Sequence, residues 1–336
     1  MGYRDKLRGD PLPRLLEDDA PSVKHLALRT LLERGDEDSE VVAARVAAMK
    51  RPPISVILAA QQAEGYWVKP GPGYSPKYTG TVWQVIFLNQ LGADGNDPRI
   101  QAACEYVLRH SQAVSGGFGA SGAKLEAPPP SSGVIHCLHG NLLRALIGFG
   151  RLGDARVRLA IDWLARAVLG RDVHYYKSGT TGAGFGCAAN GALPCAWGAI
   201  KELRALALVP AHERTGLTTE AVEAGASFLL EYDLARAAYP AFGGKISTDW
   251  FKFGFPLGYT SDILEALEVL VSLGYGADPR IMPAVDFVLS KQDAMGRWKL
   301  EHTLNGKMWV DIERKGQPSK WVTLRALQVL RGVYGE

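Results

Sequence analysis

The stretch Ile135 to Leu146, IHCLHGNLLRAL, ends in a tetrapeptide that recurs along the chain. LRTL begins at Leu28, LRAL at Leu143, Leu203 and Leu324, LEAL at Leu264, and a looser copy, VIFL, at Val85. Successive first residues lie 57, 58, 60, 61 and 60 positions apart. Leucines three apart share one face of a helix. A fixed step of that length marks a repeat whose unit is a pair of helices stacked on its neighbours around one continuous core. At 336 residues two domains would be the first expectation, and the repeat overrides it. The reading is an all-α repeat fold, with residues 1–20 as a lead-in and 21–336 as a single domain.

Composition is that of an ordinary globular chain, 47% hydrophobic and 22% charged, which excludes wholesale disorder. The 38 basic and 35 acidic residues leave a net charge of +3 with no long run of either sign, so nothing points to nucleic acid. The first residues, MGYRDKLRGD, lack the apolar region of a signal peptide. No apolar run approaches the ~18 residues of a membrane span. Four cysteines are too few for a disulfide scaffold, and a reduced, cytoplasmic setting is expected.

Helices are expected over 21–34, 41–49, 54–62, 78–91, 97–110, 136–149, 154–168, 195–208, 219–232, 259–273, 278–291 and 320–333, without strand-like alternation. Asp97-Pro98 and Asp278-Pro279 are helix starts, with Asp as N-cap and Pro in the first turn. The connections at 69–76, 115–133, 178–194 and 240–258 are rich in Gly and Pro and long for helix–helix turns, which marks functional rim loops or local disorder. A second pattern, Q-x-x-x-G-x-W/F, starts at Gln61, Gln112 and Gln292, each time where an alternate helix ends. Gly permits a left-handed helix stop, the ring packs over the turn, and the Gln amide satisfies orphaned backbone groups.

The Q-x-x-x-G-x-W copies, together with the helix-pair period, resemble the repeat family of squalene–hopene cyclases and protein prenyltransferase β subunits over roughly residues 20–335. The resemblance implies an α/α toroid in which six inner helices line a cavity and six outer helices surround them. The L-x-x-L helices would form the inner ring. Five outer segments are evident, so the sixth comes from the lead-in or is absent. The resemblance also implies an enzyme acting on an isoprenoid or other apolar substrate, or on a zinc-activated thiol. The alternative is a non-catalytic toroid that binds an apolar or peptide ligand and holds a structural zinc. The D-x-D-D acid motif and second toroid of a full triterpene cyclase are both missing, so that assignment fails.

Parallel inner helices bring their N-termini, with free N–H groups and partial positive charge, to one rim. If the leucines pack outward, the residue two before the first Leu points inward, which selects Leu26, Trp83, Asn141, Lys201, Asp262 and Val322. Asn141, Lys201 and Asp262 are therefore candidate catalytic residues. Asp262 is a general acid if its site is apolar, or else a helix cap paired with Lys201 or Lys320. Trp83, Trp197, Tyr259 and Trp321 are candidate substrate-binding rings, and Lys77 and Lys320 candidate anion contacts. Cys137, His139, Cys187 and Cys195 make up a candidate Cys₃His zinc set; the competing reading is that the cysteines are small buried apolar residues. Cys104 reads as core.

Overall fold

The computed structural model describes residues 2–120, 127–171, 182–244 and 247–336. Parts of three of the long connections (121–126, 178–181 and 245–246) lie outside these. Helices run in the order α1 (Leu12–Leu15), α2 (Pro21–Thr30), α3 (Ser39–Lys50), α4 (Ile54–Ala59), α5 (Thr81–Gln90), α6 (Pro98–His110) and α7 (His136–Gly148). They continue with α8 (Ala155–Leu169), α9 (Ala196–Leu206), α10 (Gly216–Glu231), α11 (Ile263–Ser272), α12 (Met282–Ser290) and α13 (Lys320–Tyr334). Besides the helices, the described residues form one short antiparallel strand pair, β1 (Trp298–Lys299) with β2 (Pro318–Ser319), beyond what the sequence suggested. It forms where the third Q-x-x-x-G-x-W copy meets the start of α13.

The L-x-x-L helices α2, α5, α7, α9, α11 and α13 form an inner ring, α7 against α9 most closely, and α13 packs back on α2. Outside them lie α3 with α4, then α6, α8, α10 and α12. The sixth outer position is filled by the lead-in. Tyr3 and Leu15 are buried in the common core, and Tyr3 N–H donates to Gly335 O at 3.1 Å. Lys320 is ion-paired with Glu17 and Asp19. The lead-in thus belongs to the ring.

The glutamine–glycine–tryptophan motif explains how the rings lock. Gln61 Nε2 donates to Arg99 O, Gln112 Nε2 to Arg156 O and Gln292 Nε2 to Lys6 O. Each amide therefore ties the end of one outer element to the start of the next. Trp67 Nε1 donates to Ile57 O at 2.8 Å while Trp67 N–H donates to Thr81 Oγ1. Trp298 repeats this with Val288 O and Thr323 Oγ1. A buried indole so joins an outer helix to the first turn of the next inner helix, with its donor satisfied.

Helix bounds differ from expectation mainly at starts. Residue 78 has a positive φ of 70°, so α5 begins at Thr81. Asp262 accepts from Glu265 N–H as an N-cap, so α11 begins after it rather than at Tyr259. Gly140 sets the α7–α9 distance: a Cβ there would lie 2.4 Å from the Lys201 carbonyl carbon. Gly140→Ala is expected to force these helices apart and to cost about 2–3 kcal/mol, read as a fall in the urea midpoint; an unchanged midpoint contradicts the close packing.

Candidate functional site

A cavity of about 560 Å³ opens at the end of the inner ring where the helices begin, within the usual size range of small-molecule pockets. Inner helices supply Cys137 from α7 and Cys195, Ala196 and Trp197 from α9. Loops supply Lys77, Tyr78, Cys187, Asn190, Tyr239, Trp250 and Tyr259. Six candidates drawn from the sequence therefore meet in one place: Lys77, Cys137, Cys187, Cys195, Trp197 and Tyr259. Tyr239, Ala237 and Asn190 were missed because they come from loops whose path no periodicity encodes.

Two of the thiols are arranged by a local antiparallel bridge between Gly186 and Pro194. Cys187 N–H donates to Leu193 O and Cys195 N–H to Phe185 O, so Cys187 and Cys195 are diagonal neighbours on one face of that pair. The hydrogen bond from Cys195 holds the Cys187 pKa down, to about 6, against burial; the N–H groups of Ala189 and Asn190 and the nearby His136 add to this. The same hydrogen bond, with burial, raises Cys195. Burial pushes Cys137 up to about 12. Of the three thiols, Cys187 is therefore the one whose ionisation its surroundings favour.

His136 is buried behind this wall, with Nδ1 2.6 Å from Glu202 Oε1 and Nε2 3.0 Å from Gly182 O. Burial opposes charge on the ring, but the Glu202 carboxylate and its hydrogen bond raise the His136 pKa overall. This raised His136 pKa favours the thiolate of the nearby Cys187.

The aromatic wall already carries a cation. Lys77 Nζ lies 5.0 Å from the Tyr78 ring centroid and 5.7 Å from that of Tyr259, so this exposed lysine is seated on rings of the cavity wall. The Tyr259 hydroxyl, beside Tyr74, makes no hydrogen bond of ordinary geometry among the described residues.

The remaining candidates lie elsewhere. His139 is turned away from the thiols: its Nδ1 accepts from Phe118 N–H and its Nε2 is 3.1 Å from Ala160 O. Burial lowers its pKa to about 3. Among the described residues no group of three or more His, Cys, Asp or Glu side chains converges to hold a metal ion, so the Cys₃His set for zinc is not assembled. Trp83 is fully buried beneath the cavity, packed on Tyr74, Tyr78 and Tyr259, with Nε1 donating to Tyr74 O. Trp321 stacks on Phe255 at 4.0 Å, and Lys320 holds the lead-in. Asn141 Nδ2 donates to Gly258 O.

Asp262 does not act on the cavity either. Its carboxylate caps α11, accepts from Gly254 N–H at 3.0 Å and pairs with Arg325; the partner is Arg325 rather than Lys201 or Lys320. Lys201 pairs instead with Glu265. Arg204 joins Glu265 and Glu268, and Arg325 joins Glu268 and Asp262. This chain of ion pairs fills the axis below the cavity. Its lower tier, Arg204, Glu265 and Arg325, occupies the second position of the L-x-x-L repeat. That is one helical turn beyond Lys201, Asp262 and Val322 on the same face, a signal the sequence held.

Among solved structures the chain is similar to an unsaturated glucuronyl hydrolase specific for heparin, at 10% identity and TM-score 0.50, covering 94% of this chain and 85% of that one. The fold is an α/α toroid. A protein from Actinoplanes (17% identity, TM-score 0.31, 86% of this chain and 99% of that one) also matches. So does a type II terpene cyclase from Scytonema (10% identity, TM-score 0.30, 87% and 96%). At such identities the likeness concerns architecture alone. No family model and no curated protein matches the chain. No helix among the described residues is long and apolar enough to cross a membrane.

Proposed function

We propose that this toroid is an enzyme that takes a largely apolar ligand, isoprenoid in class, into the cavity at the N-terminal ends of the inner helices and presents it to the Cys187 thiolate. The observation that carries this reading is chemical. The cavity wall holds Tyr78, Trp197, Tyr239, Trp250 and Tyr259 and three thiols, and among the described residues it holds no carboxylate. A carboxylic-acid proton donor of the cyclase type has no candidate on this wall. The pair of carboxylates used in ordinary glycoside hydrolysis has none either. The reactive group that remains is a thiol with its pKa lowered and a hydrogen-bond donor beside it, the arrangement of a nucleophile. The rings offer apolar area and cation-friendly faces, as Lys77 already demonstrates.

In the reaction class that follows, the Cys187 sulfur forms a bond to an electrophilic carbon of the ligand, and the leaving group departs with the electron pair. Cys195, kept protonated, holds its donor toward the sulfur before attack. Farnesol is expected to quench the fluorescence of Trp197 or Trp250 saturably and to slow alkylation of Cys187 roughly 10-fold at saturation. Neither quenching nor protection would remove isoprenoids as the ligand. Finding stoichiometric zinc in the purified protein, lost in Cys187→Ser, would replace the nucleophile with a metal–thiolate.

A further inference from the structure

At the opposite end of the inner ring a second cavity, of about 700 Å³, is lined by the last turns of α2, α9, α11 and α13. Its walls are apolar at Ala207, Leu208, Val271 and Val329, and Arg144 and Arg204 face it from the axis beside Glu268, which is committed to Arg204 and Arg325. Glu33 and Glu336 also line it, both paired with Arg331. The axial network behind it holds the cations Lys201, Arg204 and Arg325 against the carboxylates of Asp262, Glu265 and Glu268. That is three charges of each sign. Arg144 is a fourth cation, and among the described residues it has no ion pair and no hydrogen bond. Burial, then the like charge of Arg204, pulls its pKa down to about 9 against the attraction of Glu268 and Glu265. Arg204 contacts both of its carboxylates through Nη1 alone, so the rest of its fork is uncommitted.

Arg144 is half-buried, and the carboxylates near it, Glu265 and Glu268, are already paired with other cations. A guanidinium with its fork unengaged is the side chain best shaped to grip an oxyanion in two parallel hydrogen bonds. Lysine or arginine near a helix C-terminus also offsets the helix dipole, but that needs no cavity and no apolar lining. We propose that this second cavity binds an oxyanion, carboxylate or phosphate, carried on an apolar body, with Arg144 as its main partner and Arg204 as the second. The site is separated from the thiol cavity by the ion-paired axis, and it stands whether or not that cavity takes an isoprenoid.

Thermal melts of the whole protein, at matched ionic strength in chloride, with octanoate and with inorganic phosphate, test this. Octanoate, phosphate or both should raise the wild-type Tm saturably, the two arms telling carboxylate from phosphate. Arg144→Met should lose at least ~10-fold in affinity for the active anion while melting no lower than wild type in chloride alone. Calorimetric titration of the wild type with the same two probes serves if that variant does not fold, with Arg144→Lys as the variant that keeps charge and loses the fork. Equal shifts in wild type and Arg144→Met, or no saturation by either anion up to about 50 mM, would overturn the site.

Discussion

Iodoacetamide at pH 7 is expected to modify Cys187 before the other three cysteines, roughly 100-fold faster than Cys137. The size follows from two opposing terms. With a pKa of about 6 against about 12, Cys187 has about 10⁵ times the thiolate fraction of Cys137 at neutral pH. A more acidic thiol is a poorer nucleophile, which over six pKa steps returns about 10³. Cys104 is buried and likewise pushed up to about 12, and Cys195 is raised by the hydrogen bond it shares with Cys187. The rate at Cys187 should climb through about pH 6 and then level off. An unpaired cysteine has its midpoint near 8.5. Removing the main cause, in Cys195→Ala, should move the midpoint up toward that value. Peptide mapping after short exposure reads the order of modification. Even labelling of several cysteines, or a midpoint above 8, would show that Cys187 is not the activated thiol.

The second large effect concerns Glu265. Burial alone would raise its pKa, but Lys201, Arg204 and Arg325 together bring it down to about 2, from an ordinary 4.5. Burial lowers the Lys201 pKa even with Glu265 beside it, so Glu265, with three cations around it, is the firmer charge of the pair. A carboxylate whose folded pKa is depressed contributes its full stabilisation above about 4.5 and loses it as the pH falls toward 2. That contribution is on the order of 3 kcal/mol, and Glu268, lowered by Arg204 and Arg325 against burial, adds in the same direction and window. Glu265→Gln leaves Lys201 and Arg204 facing a neutral amide, which should cost about 3–5 kcal/mol and lower Tm by roughly 5–10 °C at pH 7. The variant should also be less acid-sensitive than wild type between pH 4.5 and 2. Lys201→Met combined with Glu265→Gln should cost clearly less than the two single changes summed, because it removes a cation together with its partner. Additive losses would mean that the two side chains do not form the buried pair.

Much of the architecture was legible in one-dimensional spacing. The L-x-x-L period named all six inner helices, and the Q-x-x-x-G-x-W copies marked where outer elements end. Both are local patterns repeated because each helix must bury the same face against the same neighbours. The inward position two before the first Leu identified Asn141, Lys201 and Asp262 as buried polar groups, and they are buried. Their roles were not legible. Whether Asp262 is an acid or a cap depends on Arg325, 63 residues away, and a helical period does not report which polar partner arrives from the next helix but one. The same holds for His139. Its two-residue spacing from Cys137 suggested a shared ligand set, yet residues two apart on a helix point about 200° apart, and the ring is held by Phe118 and Ala160 instead.

The sequence by itself determined the repeat, the helical content and the inward face, because periodicity is a property of neighbours along the chain. Only the tertiary structure decided that the lead-in completes the outer ring, through Gln292 and Lys6. It likewise decided that three cysteines share a cavity wall while His139 does not, and that the axis is closed by ion pairs with Arg144 left over. Each of these turns on contacts between distant segments, whose free energy comes from burying and pairing groups that no local pattern brings together.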